Sequence, residues 1–141
     1  MPISLLQAQT IVAEVLLKAR EMELKPITVA VLDHGASLIA FAREDGSPLL
    51  RPQVASGKAA TALAMGTSSR KVAEMAAERP SFVAALGAIA PQGILPAAGG
   101  VLVVDDAGLA IGAVGVSGDT SDNDEVCALA AIAAAGLTAK A

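Results

Sequence analysis

Apolar positions in the first twenty residues follow a helical repeat. Leu5, Ile11, Val12, Val15, Leu16 and Ala19 recur at the spacing of one helix face. In front of them, Ser4-Leu5-Leu6-Gln7 has the capping-box form, in which a serine and a glutamine three residues on satisfy each other's backbone N–H groups. The pattern predicts a helix over 4–22 that ends before Pro26. It then changes to two short runs rich in Val, Ile and Leu, over 27–33 and 37–43, with a turn at His34-Gly35-Ala36. That is the signature of a β-hairpin. Turn chemistry follows at Asp45-Gly46 and Ser47-Pro48. An Ala-rich segment over 52–65 predicts a helix stopped by Gly66, and Ser68 or Ser69 caps a further helix through Met75. Arg79-Pro80 breaks that helix, and another short helical turn is expected from Pro80 to Leu86.

The period of two returns in the last third. Val101 to Val104 and Leu109 to Val116 read as strands joined by a tight turn at Asp105-Asp106-Ala107-Gly108. Ile94-Leu95, between Pro91 and Pro96, predicts a short edge strand. A final helix is expected from Thr120–Asp122 to about Leu137. Helix, hairpin, helices, hairpin and helix in that order imply an α+β sandwich with an antiparallel sheet, and nothing divides it into more than one domain over 1–141. Gly112 and Gly115 leave the last strand without side chains, so either a ligand or a packed helix approaches its backbone.

Composition sharpens this picture. Of the 141 residues, 54% are hydrophobic but only 1% aromatic, so the core must be built from small side chains. The low charge (17%) and mean hydropathy of +0.60 give more apolar surface than one small domain hides, which favours a homo-oligomer. A net charge of −4 and two aromatic residues, Phe41 and Phe82, argue against nucleic acid as a partner. No signal peptide or membrane span is legible, and the expected location is the cytoplasm.

Candidate chemistry is sparse. One histidine (His34) and one cysteine (Cys127) cannot form a structural zinc site. Cys127, inside an Ala-rich helix, reads as packing. Asp122, Asp124 and Glu125 gather carboxylates at a helix start, where capping and the helix dipole explain them better than a cation. Ser117 is no nucleophile elbow, because Asp119 stands where the second glycine is required. Gly99-Gly100 offers backbone N–H groups to an anion, or is a plain turn. Lys58 interrupts an apolar helix and Arg43 ends a strand, and both suit a carboxylate.

Taken in order, "VAVLDHGASLIAFAREDGSPLL", "GKAATALAMGTSSR", "ILPAAGGVLVV" and "IGAVGVSGDTSDNDE" resemble the GlcG/HbpS family, the haem-degrading domain family that includes the C-terminal domain of PduO-type proteins. The resemblance spans nearly the whole chain. It implies a profilin-like α/β/α sandwich with a central five-stranded antiparallel sheet. It also implies a homo-oligomer, often an octamer, and haem as a candidate cofactor. Asp33, Gly35, Arg43, Lys58, Gly99, Gly100, Ser117 and Glu125 match the family pattern, while Leu102, Glu44 and His34 depart from it.

Three functions stay open. The first is haem binding or degradation, with His34 as metal ligand and Arg43 or Lys58 on the propionates. The second is a cofactor-independent isomerase, tautomerase or hydrolase, with His34, Asp33 or Glu125 moving a proton on a small carboxylated metabolite. The third is a non-catalytic assembly module. Arg43, Lys58, Gly99, Gly100 and Ser117 are the candidate contacts to a small-molecule ligand.

Overall fold

A computed structural model describes residues 1–141. The chain runs α1 (Leu5–Glu21), β1 (Thr28–Asp33), β2 (Leu38–Arg43), α2 (Arg51–Met65), α3 (Ser69–Glu78), α4 (Pro80–Ile89), β3 (Gly100–Val104), β4 (Ala110–Ser117), α5 (Ser121–Ala134) and β5 (Thr138–Lys140). The strands form one antiparallel sheet in the order β2-β1-β4-β3-β5. Helices cover both faces, as the profilin-like α/β/α reading implies.

Alternation along the strands builds two cores. Val29, Val31, Val114, Val116, Val101 and Val103 face α1 and α5, where they meet Ile11, Val15, Ala128 and Ile132. Leu32, Ala113, Leu102 and Val104 face the other way and meet Ala59, Ala60 and Ala62 of α2. The alanines are what let α2 lie so close. A Cβ on Gly115 would stand 1.9 Å from the Ala55 carbonyl oxygen, and one on Gly100 would stand 2.1 Å from that of Lys58. Gly100 and Gly115 therefore accommodate a packed helix rather than an open ligand approach, whereas Gly112 makes room for the Ile3 side chain and the Leu32 carbonyl oxygen.

Several local expectations hold. Ser4 and Gln7 form the reciprocal capping box. Pro80 sits in the first turn of α4, where its missing N–H costs nothing.

Two expectations do not hold. Ile94-Leu95 is not a strand: the Leu95 N–H donates to the Thr61 hydroxyl at 2.8 Å, and its side chain packs on Gly57 of α2. The fifth strand is instead β5, paired with β3 through Val103 and Ala139. Gly136, at φ +75, stops α5 short of Leu137, whose N–H returns to the Ile132 carbonyl. That frees the last residues to close the sheet.

Candidate functional site

The two hairpin turns are built to one plan. The Asp33 N–H donates to the Ser37 carbonyl, and Asp33 Oδ1 accepts from the N–H groups of Gly35 and Ser37, both at 2.9 Å. Asp105 does the same with Leu109 and Ala107, with both of its Oδ1 bonds at 2.9 Å. The position that must turn left-handed is Gly108 (φ +81) in the second hairpin and Ala36 (φ +65) in the first. Asp33 is thus a turn-forming residue, and the plan recurs in a hairpin with no candidate chemistry.

His34 rides exposed on the tip of that first turn. With Gly35 and Ala36 it forms one side of a cleft of about 310 Å³, opened toward solvent. Ala60, Leu63 and Ala64 of α2 make the floor, and 90–93 make the far wall. The lining holds one imidazole, one amide (Gln92) and otherwise apolar or backbone surface.

The other predicted residues lie elsewhere. Arg43 pairs with Thr28 at the far end of β1, five residues from Asp33 and therefore roughly 17 Å along the sheet. It lines a separate polar cleft with Arg20, Pro26, Glu44 and Asp45. Lys58 is buried at 3% exposure. Its ammonium donates to Asp124 Oδ2 and to the Val116 carbonyl, both at 3.0 Å. Burial pulls its proton affinity below the ordinary lysine value, and Asp124 offsets part of that loss. Lys58 fastens α2 to the end of β4 and the first turn of α5.

Gly99 and Gly100 are buried against Lys58, and the Gly100 N–H is already engaged by the Ser69 hydroxyl at 2.7 Å. The Gly100 amide therefore offers nothing to an outside anion. Ser117 Oγ accepts from Arg51 at 3.0 Å. Glu125 accepts from Arg70 Nε at 2.9 Å, and Asp122 also meets that guanidinium. Asp122 and Glu125 thus serve Arg70, and Asp124 serves Lys58, while Thr120 supplies the α5 cap to the Asn123 N–H. Cys127 is buried, and burial, followed by the charge of Asp124, pushes its thiol up to about 11.

The structure therefore joins Asp33 to His34 but leaves Glu125, Lys58, Ser117 and Arg43 toward the opposite end of the sheet. Sequence reasoning missed Arg51 and Thr28 at that end. Arg51 reads as a polar residue before Pro52, and Thr28 as one more β-branched residue in a strand.

A five-stranded antiparallel sheet between two helical layers, with an open cleft beside its first hairpin, makes an α+β sandwich. The chain belongs to the HbpS-like haem-degrading protein family, whose pattern matches residues 3–133. A PduOC–haem complex shares the fold with a TM-score of 0.87 at 22% identity, covering 98% of both chains. Klebsiella pneumoniae protein ORFY is 27% identical with a TM-score of 0.85, covering 95% of this chain and 90% of its own. A double mutant of Streptomyces reticuli HbpS is 25% identical with a TM-score of 0.81, covering 94% and 86%. No curated protein matches the chain.

Proposed function

We infer that this protein binds haem as a small ligand, in the cleft beside His34. The observation that supports this is the cleft's make-up: an accessible imidazole beside the apolar floor of Ala60, Leu63 and Ala64. An imidazole nitrogen is an ordinary axial ligand to haem iron, and an apolar wall suits the porphyrin face. Family membership and the fold shared with a haem complex point the same way. When bound, haem supplies redox-active iron. This chain's residues contribute the His34 nitrogen and the wall. Arg43 and Lys58 do not line this cleft, so within one copy neither would hold the propionates there.

The alternative of proton-transfer catalysis finds less support. Asp33 spends one carboxylate oxygen on its turn, and Glu125 lies at the other end of the sheet.

Hemin titration followed at the Soret band tests the binding reading. The wild type is expected to shift the band with saturation, and His34→Ala to weaken binding at least about tenfold through loss of the ligand. An unshifted band in the wild type, or equal titrations for the two proteins, overturns it.

A further inference from the structure

The end of the sheet away from His34 carries hydroxyl and guanidinium groups whose hydrogen bonding is incomplete. Thr28 sits in the middle of a three-strand row, paired with Arg43 on β2 and with Ser117 on β4. Directly paired residues of antiparallel strands project from the same face, so these three side chains share one side of the sheet. That side is the α2 side, because Arg51, the first residue of α2, reaches down to Ser117 Oγ at 3.0 Å.

The hydrogen bonds around this row are unbalanced. Thr28 is fully buried, yet its hydroxyl has no partner. Ser47, on the loop that joins Arg43 to Arg51, holds a second buried hydroxyl with none. The Ser117 hydroxyl accepts from Arg51 and donates to nothing. Neither Arg51 nor Arg43 forms an ion pair. Of the two carboxylates after Arg43, Glu44 is held by Arg20 and by the Ile27 N–H at 2.7 Å, and Asp45 pairs with no cation. Lys58, next along α2, has its charge matched by Asp124.

Thr28, Ser117 and Arg51 thus meet on one face with no carboxylate bonded to any of them, and Arg43, exposed at the edge of that row beside Asp45, holds a guanidinium in no ion pair, in a chain whose net charge is −4. Buried hydroxyls ordinarily find partners, and an arginine without a carboxylate partner is a usual receptor for carboxylate or phosphate oxygens. The N-terminus of α2 adds its positive end, with Leu50 at the cap offering no side-chain acceptor.

We propose that Thr28, Arg43, Arg51 and Ser117 form an oxyanion subsite for the carboxylate or phosphate group of a small metabolite, separate from the His34 cleft. The two arginines supply charge and forked N–H groups, while Thr28 and Ser117 supply hydroxyl donors at the base. Its distance from His34, roughly the length of β1, keeps it from being a propionate site for a haem ligated by His34 in the same copy.

Calorimetric titration at fixed ionic strength, with no hemin present, tests this apart from the haem reading. Malonate and inorganic phosphate are the two probes, and the one that binds more tightly names the source of the oxyanion. Saturable binding of at least one is expected. Thr28→Val is expected to lower affinity about tenfold, as for loss of a hydrogen bond to a charged group, while keeping or raising the melting temperature because an unpaired buried hydroxyl is removed. Arg43→Gln, an exposed substitution, is expected to lower affinity at least as much. Absence of saturable binding for both probes overturns the proposal, as does binding that Thr28→Val and Arg43→Gln leave unchanged.

Discussion

Asp119 shows how one side chain ties three segments together. Its Oδ2 accepts from the Lys25 N–H at 3.0 Å, and its Oδ1 from the Thr120 N–H at 2.9 Å and the Asn123 side-chain amide at 2.8 Å. These hydrogen bonds, led by that from Asn123, hold its carboxyl at about 2 against an ordinary 3.8. A carboxyl depressed on folding contributes stability above its unfolded value, and that stability is lost as pH falls through its folded value. The wild type should therefore lose stability between about pH 4 and pH 2 through this group. Asp119→Asn should show a smaller drop over that window, read as urea midpoints at successive pH values. Equal drops in the two proteins would remove Asp119 from the acid response. Lys58 illustrates the opposite limit of legibility. Its place in an apolar helix marked it as unusual, but the partner that takes its charge, Asp124, is 66 residues away. Spacing along the chain carries no trace of that pairing.

Of the two hairpins, the first is the one under strain. Ala36 holds a left-handed conformation that its counterpart in the second hairpin gives to Gly108. A side chain there costs roughly 1–2 kcal/mol, whereas glycine costs about 0.5–1 kcal/mol in lost chain entropy. Ala36→Gly should therefore raise stability by about 0.5–1 kcal/mol in urea denaturation. An unchanged or lower value would show that the Ala36 methyl makes compensating contacts at the cleft. Such strain beside a candidate binding site accords with the tendency of functional positions to hold unfavourable backbone conformations. The hairpins were legible because Asp, Gly and alternating apolar residues are local signals. β5 was not, because Thr138-Ala139-Lys140 has no apolar alternation of its own, and only its pairing with β3 makes it a strand. Gly136 was the available clue to where α5 stops.

At the scale of the molecule, the small-residue composition has two consequences. Within the chain it lets α2 press its backbone onto Gly100 and Gly115. Outside, it leaves Leu6 (74%), Leu49 (85%), Leu50 (66%), Ile89 (78%) and Leu109 (66%) strongly exposed. The α4 helix packs chiefly on α3 and carries no charge along Pro80–Ile89. Apolar surface of this extent is commonly covered by association, and we propose that the chain forms a homo-oligomer. Light scattering after size exclusion should give a multiple of 13.9 kDa, and a 13.9 kDa species at all concentrations would refute it. No helix is long and apolar enough to cross a membrane.

The order of elements, both hairpin turns, the capping box and the small-residue core follow from the sequence alone, because caps, turns and alternating patterns act over a few residues. Motifs spread along the chain also carried the family. Which polar residues meet was settled only by the fold. The sheet order sets Thr28 between Arg43 and Ser117, and helix packing brings Arg51 over Ser117 and Lys58 to Asp124. Electrostatic partners separated by dozens of residues are chosen by strand register and helix placement, and those in turn depend on every core contact at once.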